Sequence, residues 1–437
     1  MTIGIDITKG AIQGAFISKD GNVNVITDNK ENSFLSDKLV FESSTNNYLV
    51  GNSIDVDNMD YILIKNVFSA LGTRKIYYLG DKKLYPQVVF GIILKAFIRR
   101  IEENYDVKID SVVFSVPVLF DSTGRVALIQ AAQIAGLQTK RIINQSSALL
   151  MFLSSYMGAS DNIFLMTYDK YELYGGIFDI DDNVIYPGFV HSDFPDKYSE
   201  ISNSKDNIII NFSLDIIRKS KIKTTVLKEL FFVLDDTLYD EIPDIDDKIK
   251  DKLVLKTKLN NIRVIRYGSI SAIGAALLAL RFDDMDMALK ICPRVVNECL
   301  FKSVSIALKS NETKEIFPEN ISIPCYKTHL FLPSGILQSE AYTSVVLGNS
   351  NMVYENKFIG YLELNRLKKS FYKKEKILVT FRIDKNGIMD VRAERKDSNK
   401  KVYAFITTES FMDGQEILEA TRLIKQLIDN DCLTLCF

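Results

Sequence analysis

The chain has 437 residues, close to half of them apolar, enough for two or three domains with substantial cores. Its 54 basic and 56 acidic residues leave a formal charge of −2, which gives no electrostatic case for nucleic acid or an anionic membrane surface. Five unevenly spaced cysteines argue against a disulfide framework, and no apolar run reaches bilayer length, so the expected compartment is the cytoplasm with no membrane partner.

The opening MTIGIDITKG reads as a short apolar strand over residues 2–6 and a turn, Asp6-Ile7-Thr8-Lys9-Gly10, and not as a secretory leader. Strands follow at 15–18 and 23–27, with Asp20-Gly21 as the turn of a meander. Residues 87–105 predict a helix, because Phe90, Leu94, Phe97, Ile98 and Ile101 fall on one stripe; it leads into a strand at 111–116. Asp121 suits a helix N-cap, and Gly136 suits the left-handed position that ends the same helix. Ala127, Ala131, Ala132 and Ala135 give that helix a small-residue face able to lie close against a sheet. A strand at 140–143 then runs into Asn144-Gln145-Ser146-Ser147-Ala148. Strands at 163–168, 174–180 and 184–186, turning at Asp181-Asp182-Asn183, repeat the opening meander, and a small-residue helix begins near Ser269. After Asp283-Asp284 short strands dominate residues 291–406, the pattern of a β-sandwich, with a hairpin turning at Asn386-Gly387. Asp413-x-x-Glu416 is a capping box that opens a last helix, running to about residue 429.

These segments together resemble the 70-kDa heat-shock chaperone family, within the actin-like ATPase superfamily. Residues 115–150 are similar to the family's V-P-A-x-F, A-x-x-x-A-G-L and R-I-I-N-E-P-T-A-A, and the helix from Ser269 looks like its E-A-V-A-x-G-A-A. In the sandwich, residues 320–324 and 327–331 resemble N-x-x-I-P and K-x-x-x-F, and 359–364 resemble L-G-x-F-x-L. Residues 377–393 match I-x-V-x-F-x-I-D-x-N-G-I-L-x-V-x-A almost throughout. The resemblance implies an α/β actin-like ATPase fold of ribonuclease-H-like duplicated halves over residues 1–283, then an interdomain linker at 284–292 containing Leu289 and Lys290. A β-sandwich at 293–406 follows, then a truncated lid helix and tail at 407–437. The interval 187–266 is too short for the family's second upper lobe, so one upper lobe is expected to be missing.

The resemblance also implies a nucleotide site, whose positions here depart from the family. Asp6 matches the metal-water carboxylate, but the family's first phosphate turn, D-L-G-T-T-N, reads Asp6-Ile7-Thr8-Lys9-Gly10-Ala11. Lys9 has two readings, an ammonium standing where phosphate would sit or a solvated turn lysine. The acid of R-I-I-N-E is Gln145. The second turn, D-L-G-G-G-T-F-D, aligns with Asp169 or with Glu172 at its first position; the Asp169 register is preferred because it keeps the strand interior apolar. The adenosine motif's glycines are replaced by Asp235 and Asp236, and the lysine of K-R-L-I-G has no secure counterpart, Lys65 being nearest. The expectation is a pseudo-ATPase with no catalytic residue, metal or cofactor. Asp6, Thr8, Lys9, Gln145, Asp169, Asp235 and Asp236 would then be vestigial, and ATP with Mg2+ would be the cofactor only of an active, rapidly diverged alternative. Phe301, Phe331, Ala341 and Thr343 fall at peptide-pocket positions of the sandwich. Unfolded or nascent polypeptide, a J-domain co-chaperone and the ribosome are the partners implied.

Overall fold

The computed structural model describes residues 1–8, 10–27, 33–52, 54, 60–169, 171–199, 204–332, 338–367, 376–396, 401–407 and 412–436. Two six-stranded sheets of like construction form the N-terminal region. In the first, the antiparallel meander Thr2–Thr8, Ala11–Ile17 and Val23–Val25 is flanked by the parallel strands Ser111–Val116 and Gln138–Asn144. In the second, Asp161–Tyr168, Leu173–Ile180 and Val184–Asp193 are flanked by the parallel strands Glu229–Leu234 and Ile262–Arg266. The duplication read from the two meanders is therefore present in the hydrogen-bonded order. The central strands carry long apolar runs because both their faces are covered by helices.

Helix Pro86–Tyr105 starts with proline at its first turn and buries Phe90, Leu94, Phe97, Ile98 and Ile101, the predicted stripe. Helix Ser122–Ile134 is capped by Asp121, whose side chain accepts from the Gly124 N–H; Ala127, Ala131, Ala132 and Ala135 are all buried. Helix Ile270–Asp283 crosses the back of the first sheet at backbone contact. A Cβ on Gly4 would fall 2.2 Å from the Ala276 nitrogen, and one on Gly274 would fall 1.9 Å from the Ala148 carbonyl oxygen. Residues 187–266 spend their helices, Lys205–Ser220 and Ile245–Thr257, on the core of the second sheet, where Ile209, Phe212, Ile216, Ile249 and Leu253 are buried with Phe164 and Phe232.

Eight strands form the second module, ordered Thr313–Phe317, Val304–Ala307, Glu340–Leu347, Lys357–Asn365, Lys401–Thr407, Met389–Arg395, Ile377–Ile383 and Cys325–Phe331. They enclose a core of Ile316, Phe317, Val345, Ile377, Val379 and Phe381. The predicted hairpin joins Ile377–Ile383 to Met389–Arg395, with Gly387 at φ 73° supplying the left-handed residue that the turn needs.

The two connecting segments have defined places in the structure. Residues of the expected interdomain linker, Leu289 and Lys290 among them, form helix Met285–Ile291, because the Asp284 carboxylate caps it through the Met287 N–H at 2.9 Å and Ala288 anchors it in the core. The extended connection lies further on, where Val295–Val296 adds a parallel edge strand to Val184–Ile185 of the second sheet. The last helix, Gly414–Asp429, has the predicted capping box, but its apolar face (Ala420, Ile424, Leu427) joins the core of the first N-terminal half. It is followed by strand Leu433–Cys436, which pairs in parallel with Asn47–Gly51, so the C-terminal segment is stitched to that half by backbone hydrogen bonds. Among the described residues no helix is long and apolar enough to cross a membrane.

Candidate functional site

Asp6 lies on the first strand, fully buried, where the two N-terminal halves meet. Its Oδ1 accepts from Gln145 Nε2 at 3.1 Å and Ser271 Oγ at 2.9 Å, and its Oδ2 accepts from Tyr267 Oη at 3.1 Å. Ser115 is a further side-chain partner and bonds Ser271 Oγ at 2.8 Å. Burial pushes the Asp6 carboxyl above the usual range, against these donors, which favour its charged form. Tyr267 is pushed well above its ordinary value, first by burial and then by the charge of Asp6. A carboxylate at position 145 would face Asp6 as a like charge, to be relieved by a cation between them or by protonation of one; an amide instead donates to it. This set of atoms holds one negative charge or one proton through side-chain donors, and it presents a single carboxylate.

The other positions of the expected nucleotide site that fall within the described residues make local contacts. Thr8 closes the hairpin opposite Ala11, its Oγ1 donating to the Ala11 carbonyl at 3.4 Å; Lys9 lies outside the described residues. Asp169 follows strand Asp161–Tyr168, and its Oδ1 accepts from the N–H groups of Tyr171 and Glu172 at 2.6 Å each, so that oxygen closes its own turn. Gly175 and Gly176 sit inside strand Leu173–Ile180. A Cβ on either would meet a neighbouring strand carbonyl within 2.8 Å, so those glycines serve sheet packing. Asp235 caps helix Asp236–Glu241 through the Thr237 N–H at 2.8 Å, and Asp236 is exposed in its first turn.

Lys65 is exposed. With Leu71-Gly72 anchored on the last two residues of K-R-L-I-G, the lysine position falls on Phe68, which is buried and stacked on Phe120 at 4.5 Å. Counting back from Gly72 was a signal available in the sequence. Ser271 was also legible in part, as a hydroxyl within an otherwise apolar helix; nothing marked Tyr267.

In the second module, Phe331, Ala341 and Thr343 line one groove of about 400 Å3, together with Ile306, Leu308, Leu362, Leu364 and Ile377. Its floor is aliphatic and its mouth carries the exposed Leu332 and Tyr342. Phe301 is not part of it. That ring is buried against Tyr174 in an edge-on contact at 6.1 Å, in the core of the second N-terminal half, because the chain is still running along that half when it reaches residue 301.

The two modules meet around helix Ser122–Ile134. Arg125, buried, donates from Nη1 to the Asn386 carbonyl at 3.0 Å and from Nη2 to Asn144 Oδ1 at 2.6 Å. Asn386 Oδ1 accepts from the Ile142 N–H at 3.1 Å, and the Met389 N–H donates to Ser122 Oγ at 2.9 Å. Lys357 pairs with Asp121 at 2.5 Å. Glu298 is the buried acid of this junction; burial raises its pKa, while Ser147, Arg125 and Arg141 favour its charged form, and it accepts from the Asn144 N–H at 3.2 Å.

The profile described as Hsp70 protein matches residues 21–180 and 215–431. Similar proteins include the chaperone protein DnaK of Mycoplasmopsis agalactiae, 22% identical over 438 residues, covering 82% of this chain and 71% of that protein. The chaperone protein DnaK of Mycoplasmopsis pulmonis is 24% identical over 454 residues, covering 84% and 72%. With two N-terminal halves of one design, an eight-stranded module carrying an apolar groove, and a profile match over most of its length, the chain belongs to the Hsp70 family.

Proposed function

We propose that this protein is a chaperone that binds extended polypeptide in the groove of its second module and does so without ATP turnover. The observation that carries the reading is the donation from Gln145 to Asp6. A magnesium–triphosphate site needs converging carboxylates for the metal, a cation for the phosphates and backbone turns that wrap them. Here the candidate carboxylate is enclosed by amide and hydroxyl donors, Phe68 stacks where the lysine is expected, and Asp169 Oδ1 closes its own turn. These residues do not fit that cofactor. The groove supports the binding half: an apolar floor between strand edges suits an extended chain held by backbone hydrogen bonds with side chains in pockets. Unfolded or nascent polypeptide in the cytosol is the client we propose, with a J-domain protein or the ribosome as the partner that delivers it.

The test is fluorescence anisotropy of a labelled apolar heptapeptide with the full chain, followed by addition of magnesium and ATP. Saturable binding whose release rate ATP leaves unchanged supports the reading. ATP-accelerated release favours an active, ATP-driven chaperone, and absence of peptide binding removes the client assignment.

A further inference from the structure

A cavity of about 900 Å3 lies between the two N-terminal halves and the second module. None of its lining residues belongs to the Asp6 network or to the peptide groove. Its volume is that of a small-molecule site. One wall is aromatic: Phe68 and Phe120 stack with an interplanar angle of 25°, and Phe194, 53% exposed, stands at the cavity lining. The acids around it are committed. Asp121 pairs with Lys357 at 2.5 Å, Asp193 pairs with Lys197 at 2.6 Å, Glu172 Oε1 accepts from the Leu119 N–H at 3.1 Å, and Glu355 accepts from Ser350 Oγ.

Lys302 differs from the other lysines of the cavity. It is half-buried and, among the described residues, has neither an ion pair nor a hydrogen bond. Burial depresses its pKa, while Asp193 and Glu319 act to keep it charged. A desolvated ammonium with no bonded partner, beside aromatic walls, suits a ligand with one negative group and an apolar body.

We propose that this cavity binds a small amphipathic anion, its carboxylate, sulfonate or phosphate held by Lys302 and its apolar body packed against Phe120 and Phe194. The lining comes from all three parts of the molecule, so such a ligand bridges them. It stabilises the docked arrangement of the second module by mass action.

The experiment is a fluorescence titration of the full chain with anilinonaphthalene sulfonate, a planar aromatic monoanion. One saturable site is expected. Lys302→Met and Phe194→Ala should each weaken it by about tenfold, Lys302→Arg should keep it within about twofold, and the groove variant Ala341→Trp should leave it unchanged. Circular dichroism and the unfolding midpoint establish that each variant is folded, and Phe194→Ala truncates a half-exposed ring, so one informative variant keeps its core. Unchanged affinity in Lys302→Arg, Lys302→Met and Phe194→Ala alike overturns the proposal. So does displacement of the probe by the groove heptapeptide or by magnesium-ATP at equal concentration. Because the heptapeptide reports on the groove, failure here is distinguishable from failure of the peptide-binding reading.

Discussion

Gln145 Nε2 reaches Asp6 Oδ1 across 3.1 Å, joining the first residue of one helix to the middle of the first strand. The same amide also reaches the Ile7 carbonyl at 3.4 Å, so the contact ties down both side chain and backbone at the place where the two N-terminal halves meet.

Restoring an acid at that position should cost stability. In Gln145→Glu a second carboxylate faces Asp6, already pushed toward protonation by burial. The expected loss is about 3 kcal/mol at neutral pH, shrinking as pH falls and one of the pair protonates. Urea unfolding across a pH series measures it. Recovery of the loss on adding magnesium would mean that the pocket can still take a metal.

Glu298 balances the guanidinium groups of buried Arg125 and half-buried Arg141 at the junction of the modules. Replacing it with Gln should cost about 3 kcal/mol, because Arg125 and Arg141 lose their shared acid. The readout that separates this from general destabilisation is hydrogen exchange. The Ile142 and Met389 amides, which donate across the junction, should exchange faster, while the Val379 and Phe381 amides inside the second module stay protected.

Asp37 is buried and accepts backbone N–H bonds from Phe68 and Asn66, yet burial raises its carboxyl to about 6. Between about pH 4 and 6 the folded chain therefore holds a proton that the unfolded chain has released, and stability falls as pH rises through that window. A shift of this size corresponds to about 3 kcal/mol. The stability difference between wild type and Asp37→Asn should change by roughly that amount between pH 4 and 7, with the wild type losing ground as pH rises. A pH-independent difference contradicts the assignment.

The groove and Phe301 can be separated by a pair of variants. Ala341→Trp fills the groove and should weaken heptapeptide binding by about tenfold or more with little change in the unfolding midpoint. Phe301→Ala should cost about 3–4 kcal/mol of stability, as expected for a buried aromatic, and leave the affinity of the folded fraction intact. The opposite pattern would return Phe301 to the peptide site.

The strand meanders, the Ala-lined helix and the Asn386-Gly387 hairpin were legible in sequence because each is written in local chemistry: alternation, a cap, a turn residue. So were Asp6 and Gln145, which sit in motifs. Phe301 misled because a phenylalanine in a strand-rich region carries no mark of which core it enters. The helical form of the linker was hard to read for a related reason. Met287, Ala288 and Ile291 have both the apolar content of an extended linker and the spacing of a helix, and Asp284 decides for the helix only once its carboxylate is seen to cap. The docking of Ala420, Ile424 and Leu427 on the first half depends on contacts hundreds of residues away, such as Gln130 Nε2 to the Met412 carbonyl at 2.8 Å. No local pattern encodes those.

The central claim is that a buried Asp6, bonded by Gln145, Ser271 and Tyr267, leaves no place for a magnesium–nucleotide complex. Isothermal titration calorimetry of the full chain with magnesium-ATP tests it most directly. The account predicts no saturable heat up to millimolar nucleotide, alongside measurable heat for the apolar heptapeptide. Micromolar binding of ATP that requires magnesium, and that is abolished by Asp6→Asn, would contradict it.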